Sequence, residues 1–414
     1  MWSEEVFQKI CQEIETLEPT MVEMQCRLCA LPAISPKSGG EGEKVKADYL
    51  KQVLTNWGLE VEELRAPDPS APCGYRPNLI ARLPGKKAKP VIWVMTHLDV
   101  VPPGPRELWQ SDPFVARIEE RKIYGRGVED NQQEMVASIF ALKALMNLEL
   151  VPELPIALML VADEETGSEF GVDWLLKNHH LCDPADILVV PDAGNEEGTL
   201  LEIAEKSILW LKFTTYGKQA HGSTPHHGNN AHRAGANLLV RLDKLLHETF
   251  SIRDPLFTPP YSTIEPTKKE PNVPNINTIP GEDTFYFDMR ILPRYELTAV
   301  LSKVQKITSE IENEFQVQIK VDVEQRADAA PPTPADAPVV QMLGKAIRAV
   351  YRKEPFPKGI GGGTVAAFFR RKRIPVVVWG KNAGQAHKPN EYCIIDNMVS
   401  NAQVYGHLFG QSMP

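Results

Sequence analysis

Several short apolar segments of this chain end just before a histidine or a carboxylate residue. Three of them, with the residues that follow, are 91–95 before His97 and Asp99, 156–161 before Asp163, Glu164 and Glu165, and 187–190 before Asp192. A fourth segment, 374–379, precedes His387 by a loop that contains two glycines. The carboxyl ends of the strands form the functional crevice of an open α/β sheet, so this pattern predicts a metal-centred site at one sheet edge.

The size and charge of the chain narrow the classes of protein to which it can belong. A chain of 414 residues with 43% apolar content exceeds one usual hydrophobic core, so we expect two domains. The net charge of -9 argues against a nucleic-acid partner, and no run of about 18 apolar residues predicts a membrane span. Residues 1–10 lack the basic and apolar regions of a signal peptide, so a cytoplasmic location is expected.

The six cysteines are scattered along the chain, which predicts reduced thiols rather than a disulfide framework. Cys26 and Cys29 form one C-x-x-C, for which a redox pair and half of a zinc site are the functional alternatives. The sequence has no second C-x-x-C or histidine pair at suitable spacing, and residues 20–31 have helical periodicity. A structural role for these two cysteines is therefore favoured.

The first half of the chain alternates between helical and strand patterns. Helices are predicted over residues 4–31, 44–57 and 134–146, and strands over 79–83 and 91–95. This alternation predicts an α/β fold with a mixed, largely parallel sheet that is covered by helices on both faces.

The pattern changes beyond residue 201. The predicted elements are a strand at 208–215, a helix at 229–249, strands at 275–279 and 284–291, a helix at 296–315 and a strand at 317–323. This βαββαβ order is typical of a ferredoxin-like α+β domain. Residues 329–338, with four prolines, resemble a linker that leads into a helix at 339–351. We therefore predict a discontinuous catalytic domain of residues 1–204 and 327–414, with residues 205–326 inserted as a separate domain.

Each candidate site residue also has an ordinary structural interpretation. His97 and Asp99 flank one residue and can face one crevice, with Asp99 bonding the far nitrogen of His97 and fixing its tautomer. An incidental surface turn is the alternative. Glu164 and Glu165 can take different roles at one centre, one binding metal and the other transferring protons, whereas a solvated acidic loop is the alternative. The combination of these residues favours the metal site.

Asp130 follows a flexible turn that contains Gly125 and Gly127. Its carboxylate could bridge two cations or merely cap the helix predicted at 134–146. A dinucleotide-binding fingerprint is excluded, because this turn lacks the third glycine and a strong preceding apolar strand.

In their motifs and order, these residues resemble the M20 family of metallopeptidases, which includes carboxypeptidase G2-like enzymes, aminoacylases, acetylornithine deacetylases and succinyl-diaminopimelate desuccinylases. The matching segments are 96–99 (Thr-His-Leu-Asp), 125–127 (Gly-Arg-Gly) with Asp130, 163–165 (Asp-Glu-Glu), Asp192, 217–221 (Gly-Lys-Gln-Ala-His), 277–280 (Asn-Thr-Ile-Pro) and 386–391 (Ala-His-Lys-Pro-Asn-Glu). They span almost the whole chain in the order of the family.

The resemblance implies a site for two divalent metal ions, most often zinc, with cobalt and manganese as alternatives. Its implied residues are Asp130 as the bridge, His97 and Asp192 on one side, Glu165 and His387 on the other, Glu164 as general base and Asp99 as the residue that orients His97. Mixed imidazole and carboxylate ligands suit zinc, and paired sites about 3.5 to 4 Å apart hold both the substrate oxygen and the attacking water.

The resemblance also implies substrate-binding residues, which are His221, Asn277 and Arg290 of the inserted domain and Gly362 and Thr364 of a glycine-rich loop. Alternation within residues 284–291 puts Arg290 on the polar face, where it could clamp a substrate carboxylate or form a surface ion pair with Asp288. His221 would stabilise an oxyanion across a homodimer formed through the inserted lid domain.

Two departures from the family pattern are informative. The family commonly follows the bridging aspartate with a lysine and paired glycines, whereas Asp130 is followed here by Asn-Gln-Gln-Glu. The loop 361–364 continues with Val-Ala-Ala-Phe, where desuccinylases usually have Ser-Asp-Gly-Arg. The missing arginine weakens a succinyl-carboxylate specificity and suggests a less polar substrate end.

Together, the residues and the resemblance predict a dinuclear metallohydrolase that cleaves an amide or peptide bond in a small molecule or short peptide with a free carboxylate. Deacylation of an N-acyl amino acid and cleavage of a dipeptide or C-terminal peptide stay open. The alternative from another class is a non-catalytic metal- or ligand-binding relative that keeps the fold. Glu164, present together with all five ligand candidates, argues against that alternative.

Overall fold

The computed structural model describes residues 2–413, which form two compact units. Ala204–Pro331 and Lys358–Ala367 make up the second unit, and the other described residues make up the first. The units differ from the predicted domains at residue 204 and at residues 327–331 and 358–367, all of which group with the second unit.

Two hydrogen bonds fasten the glycine-rich loop 361–364 to the second unit. Thr364 Oγ1 donates to Glu205 Oε1 at 2.6 Å, and Gly361 O accepts from Arg290 Nη1 at 3.3 Å. Contacts between residues so distant in sequence leave no local pattern, which is why the predicted boundary put this loop in the first domain.

The helices are α1 Glu4–Cys29, α2 Lys44–Asn56, α3 Gln133–Asn147, α4 Val172–Asn178, α5 Ala231–Thr249, α6 Leu297–Phe315, α7 Pro338–Tyr351, α8 Ala366–Arg371 and α9 Ile395–Phe409. The strands are β1 Glu60–Pro67, β2 Tyr75–Leu83, β3 Ile92–His97, β4 Arg117–Glu119, β5 Lys122–Tyr124, β6 Ile156–Val161, β7 Ile187–Val190, β8 Leu200–Glu205, β9 Ser207–Tyr216, β10 Ala220–His221, β11 Thr263–Lys269, β12 Thr278–Ile279, β13 Glu282–Ile291, β14 Gln318–Ala327, β15 Phe356–Ile360, β16 Val376–Val378 and β17 Tyr392–Ile394. None of the helices within residues 2–413 is long and apolar enough to cross a membrane.

An eight-stranded mixed sheet organises the first unit, with the strand order β1-β2-β6-β3-β7-β16-β8-β15. The central strands β6, β3, β7 and β16 are parallel to one another, whereas β2 is antiparallel to β1 and β6, and β8 is antiparallel to β16. All residues of β3, β6 and β7 are buried, so both faces of these strands are covered. The predicted α/β fold with a mixed sheet is confirmed, and its parallel strands lie at the centre of the sheet.

The parallel direction of β3, β6 and β7 determines where the candidate site lies. Their carboxyl ends meet at one edge of the sheet, and the chain leaves each strand there with a polar side chain. His97 is the last residue of β3, while Asp163 and Asp192 follow β6 and β7 within two residues. The short turn Glu164–Thr166 continues directly from Asp163.

The second unit is a four-stranded antiparallel sheet with the order β11-β13-β9-β14. In chain order its main elements are β9, α5, β11, β13, α6 and β14, which is the predicted βαββαβ arrangement. One face of the sheet packs against α5 and α6. That core contains Phe213 and Phe285, whose stacked rings have centroids 4.9 Å apart.

The sequence prediction of the second strand of this sheet is wrong. The predicted strand 275–279 contains only β12, which pairs with β10 in a separate two-stranded ribbon. The sheet strand is β11, whose residues are mostly exposed and which includes Pro266 at an irregularity of its pairing with β13. An exposed edge strand with a proline lacks the apolar alternation that identifies strands in a sequence.

We expect Phe213→Ala to destabilise the second unit by about 3 to 5 kcal/mol, because it removes a fully buried aromatic ring from the core. Urea unfolding followed by circular dichroism measures this change. Val240→Ala on α5 is the control, since Val240 is 65% exposed and its loss should cost no more than about 0.5 kcal/mol. Equal effects of the two substitutions would contradict the assigned core.

Candidate metal centre

One hydrogen bond to its backbone and one to its ring hold His97 at the end of β3. Its backbone N–H donates to Asn131 Oδ1 at 3.2 Å, and its Nδ1 lies 3.0 Å from the backbone oxygen of Asp99. A carbonyl oxygen can only accept, so Nδ1 carries the proton and Nε2 faces the acidic residues of the site. The residue is 1% exposed, so its ring has one orientation available.

The carboxylate of Asp130 lies between two imidazoles. Its Oδ1 is 3.1 Å from Nε2 of His97, and its Oδ2 is 3.1 Å from Nε2 of His387. The alternative role as a helix cap is absent, because α3 begins at Gln133 with Gln132 as its N-cap and no side-chain cap bond. One oxygen for each imidazole is the arrangement that a bridging carboxylate needs.

Three further carboxylates complete the cluster. Asp192 Oδ1 lies 3.5 Å from His97 Nε2, and Glu165 Oε2 lies 3.1 Å from His387 Nε2. Ligand atoms of His97, Asp130 and Glu165 lie within 4.8 Å of one another, as do those of His97, Glu164 and Asp192. Imidazole nitrogens with carboxylate oxygens are a donor set that suits zinc and similar divalent ions, so these residues fit a metal centre.

Asp99 contacts different atoms from those predicted. Its carboxylate oxygen Oδ1 is 3.7 Å from His97 Nδ1, beyond hydrogen-bond distance, and the bond to that nitrogen comes from the Asp99 backbone oxygen instead. The carboxylate accepts the backbone N–H groups of Glu164 and Glu165 at 3.1 and 3.0 Å. Asp99 therefore orients His97 through its main chain and the two glutamates through its side chain.

The charges of the cluster shift the pKa values of both histidines upward. Burial opposes a positive charge on His97, but the hydrogen bond to Asp130 and the nearby carboxylates raise its pKa well above the usual value. Hydrogen bonds to Asp130 and then to Glu165 raise the pKa of His387 to about 10. For Asp130, the bonds from both histidines outweigh burial and hold the pKa well below its usual range.

Two other carboxyl groups have raised pKa values. Burial, followed by the charge of Asp192, raises the pKa of Glu164 well above its usual value. Burial likewise raises the pKa of Asp192 to about 6. A buried carboxyl group with a raised pKa is suited to accept and return a proton, which is the chemistry predicted for Glu164.

Sequence reasoning missed the residues that hold this cluster from behind. Asn131 bonds the backbone of His97, while Glu129 and Glu391 are buried and accept backbone N–H groups around Asp130 and His387. Glu391 stood within a matched motif but had no assigned role, and the other two gave no signal. Their partners lie far away along the chain, so spacing could not identify them.

The predicted substrate-binding residues lie in the second unit. Arg290 forms an ion pair with Asp288, in which Nε and Nη2 bond the two carboxylate oxygens at 2.7 and 3.0 Å. The surface ion pair considered for Arg290 is therefore present. His221 is exposed, and its Nδ1 forms a hydrogen bond with Ser223 Oγ at 2.8 Å. Asn277 lies in the loop directly before β12, and Gly362 and Thr364 lie in the 361–364 loop.

The two cysteines of the C-x-x-C lie on α1 as free thiols. Cys29 is buried, and burial raises its pKa to about 12, which disfavours the thiolate that redox chemistry and metal binding require. Its Sγ packs so closely against Gly125 that a Cβ added there would overlap it. These contacts give Cys29 a packing role.

Comparison with known proteins places the chain in a family. The model of peptidase family M20/M25/M40 matches residues 93–411, and the chain belongs to this family. An uncharacterized metallohydrolase of Methanococcus maripaludis is 37% identical over 405 residues, covering 93% of this chain and 97% of that protein. A succinyl-diaminopimelate desuccinylase of Rhodospirillum centenum is 25% identical over 395 residues, covering 94% and 96%.

A solved structure has the same fold. The aminopeptidase PepT from Bacillus cereus aligns with a TM-score of 0.74 at 18% identity, covering 95% of this chain and 98% of that one. Family membership makes this protein a metallohydrolase of the peptidase and amidohydrolase type, which uses divalent metal ions. The cluster around Asp130 is the candidate site for them.

The raised pKa of His387 predicts a pH-dependent stability in protein treated with a chelator. An unfolded histidine titrates near pH 6.5, so the protonated ring stabilises the fold fully below that pH and loses this effect as pH rises toward about 10. The melting temperature of His387→Ala should therefore fall below wild type at pH 6 and approach it at pH 10. The ring is half exposed, so we expect a difference below about 1 kcal/mol.

Thermal melts at both pH values measure this effect. His226→Ala, in the second unit, is the matched control and should follow the wild-type curve. A gap between His387→Ala and wild type that stays constant with pH would refute the assigned pairing of His387.

Proposed function

We propose that this protein is a dinuclear metal-dependent hydrolase that cleaves an amide or peptide bond in a small substrate with a free carboxylate. The observation that carries the proposal is the position of Asp130, which offers one carboxylate oxygen to the His97 side and the other to the His387 side. Asp192 and Glu165 complete the two sides of the proposed site. Zinc is the proposed ion, because each side combines one imidazole with carboxylates.

Two such ions would supply the positive charge that polarises the substrate carbonyl and acidifies water. Glu164 is the proposed general base. It takes a proton from the attacking water as the water oxygen bonds to the carbonyl carbon. It then returns that proton to the nitrogen as the C–N bond breaks. The bonds from Asp99 to the backbone of Glu164 and Glu165 support this division of roles, because they fix the turn that carries both residues.

The free carboxylate of the substrate is the proposed ligand of Arg290. A guanidinium binds a carboxylate in a bidentate manner, and Arg290 already binds Asp288 in that way. A substrate carboxylate would compete with Asp288 for the same N–H groups. We propose His221 as an oxyanion donor supplied through a homodimer, with Asn277, Gly362 and Thr364 as further substrate contacts.

The acyl part of the substrate, on the carbonyl side of the bond that breaks, stays open. The chain is similar to a desuccinylase and to an aminopeptidase, so both N-acyl amino acids and short peptides are candidates. A panel of N-acetyl and N-succinyl amino acids, dipeptides and tripeptides, assayed with zinc, cobalt and manganese, would distinguish these classes. Turnover of none of them by protein that has bound metal would refute the proposed activity and favour a binding role.

Glu164→Gln should retain its bound metal and lose turnover by about 10²- to 10⁴-fold, because the amide cannot accept the proton. Steady-state kinetics on the best substrate of the panel, with elemental analysis of the same preparation, measures both effects. Glu169→Gln is the matched control, since Glu169 is a nearby residue that pairs with Lys37 on the surface at 2.9 Å. Wild-type rates in Glu164→Gln would remove this residue from the mechanism.

Elemental analysis of metal-replete wild-type protein should give two divalent ions per chain, because the cluster offers ligands on both sides of Asp130. Asp130→Asn should reduce this number and abolish turnover, since a neutral amide is a poor bridge between cations. Binding of fewer than two ions by the wild type would contradict the dinuclear site.

A further inference from the structure

Two buried glutamates each bind the backbone of the segment to which the other belongs. Glu391 lies after the loop that carries His387, and its carboxylate accepts the N–H groups of Gly127, Glu129 and Asp130 at 3.0, 2.9 and 3.2 Å. The side chain of Glu391 is fully buried, so these backbone donors take the place of solvent around its carboxylate. This carboxylate fixes the backbone on which Asp130 stands.

Glu129 makes the reciprocal contact from the other segment. Its carboxylate accepts the N–H of Ala383 at 2.5 Å and also the N–H of Gln385. Gln385 is two residues before His387, so Glu129 holds the loop immediately upstream of that imidazole. Glu129 is itself the neighbour of Asp130, and it is 5% exposed.

Arg126 joins the two segments a third time. Its Nη1 bonds Glu391 Oε2 at 2.6 Å, and its Nη2 bonds the backbone oxygen of His387 at 3.4 Å. The guanidinium is buried and supplies a positive charge between two acidic segments. The guanidinium therefore compensates the negative charge of Glu391 and also contacts the backbone of His387.

Neither Asp130 nor His387 is positioned by a regular element. Asp130 has non-helical backbone angles, φ -107° and ψ 96°, just before α3, and His387 lies in a turn at φ 64° with a half-exposed side chain. His97, by contrast, is the last residue of a fully buried strand. The distance of 3.1 Å between Asp130 Oδ2 and His387 Nε2 thus depends on the contacts between their two segments.

We infer that Glu129 and Glu391 form a carboxylate clasp that sets the separation of Asp130 and His387, and thereby the affinity for the cation on the His387 side. This inference rests on the proposed function. The two glutamates are positioning residues, since they act through the backbone of the proposed ligands. Their arrangement is reciprocal, because each glutamate binds the backbone of the segment to which the other belongs.

The test is a cation titration of the full chain after removal of bound metal with a chelator. Zinc binding is followed by competition with a chromophoric chelator in wild type, Glu129→Gln and Glu391→Gln. The affinity for the second zinc ion is the one that we assign to the His387 side. We expect it to fall about 10- to 100-fold in both variants, as for the loss of other groups that orient metal ligands. Glu129→Gln should leave the first affinity unchanged, because its contacts lie only on the His387 loop.

A spectroscopic measurement separates positioning from general stability. The visible absorption of the cobalt-substituted protein reports ligand geometry and should change in both variants. Asp186→Asn is the matched control, because Asp186 is a buried carboxylate that accepts three N–H groups, from Val91, Asp183 and the ring of Trp93. It lies at the opposite ends of β3 and β7, so this substitution should lower the melting temperature but leave both zinc affinities and the cobalt spectrum unchanged.

Unchanged second-zinc affinity in Glu129→Gln, with two zinc ions bound by the wild type, would overturn the clasp and leave the proposed function standing. An equal loss of affinity in Asp186→Asn would overturn it as well, since the effect would then be one of stability. If Glu391→Gln does not fold, the Glu129→Gln titration decides alone. A wild-type protein that binds a single ion would overturn both the dinuclear proposal and the clasp.

Discussion

Repulsion among carboxylates at one sheet edge is the constraint on which the rest of the structure depends. Asp130, Glu164, Glu165 and Asp192 crowd around two imidazoles, and burial together with the charge of Asp192 raises the pKa of Glu164. The acidic residues behind this cluster have partners within the protein. Asp99 accepts backbone N–H groups, and Glu391 accepts backbone N–H groups and also pairs with Arg126. Charge that points into the protein is thus compensated by the protein. Charge that points into the crevice is left for a ligand of opposite sign.

Much of the candidate site could be predicted because of how its strands are buried. Strands covered on both faces, such as β6, appear in a sequence as unbroken apolar runs, and polar residues at their ends are conspicuous. The bond between Asp99 and His97 was predicted through the wrong atom, since spacing cannot distinguish a side chain from a backbone oxygen. Glu129, Asn131 and Glu391 were missed for a stronger reason. Asn131 bonds a residue 34 positions away, and the bonds of Glu129 and Glu391 join segments more than 250 residues apart, so no local pattern encodes these contacts.

The second unit illustrates the same limits in a sheet. Its helices and central strands were predicted because their apolar residues alternate or recur with helical spacing, whereas the exposed edge strand β11 has no such pattern. For Arg290, spacing alone favoured an ion pair with Asp288, whereas the family resemblance favoured a clamp on a substrate carboxylate. Asp288 lies two residues away on the same face of β13, so an ion pair forms without any ligand. The carboxylate specificity proposed for this residue therefore depends on competition between an internal and an external carboxylate.

The contact between Cys29 and Gly125 has a consequence for the evolution of the family. Helix α1 is far from the site in sequence, yet Cys29 occupies the space beside the Gly-Arg-Gly segment that leads to Asp130. The volumes at positions 29 and 125 are therefore shared. Alanine at position 125 would therefore need a residue smaller than cysteine at position 29. Covariation of these two positions among relatives would reveal this packing contact, which takes no part in the chemistry of the site.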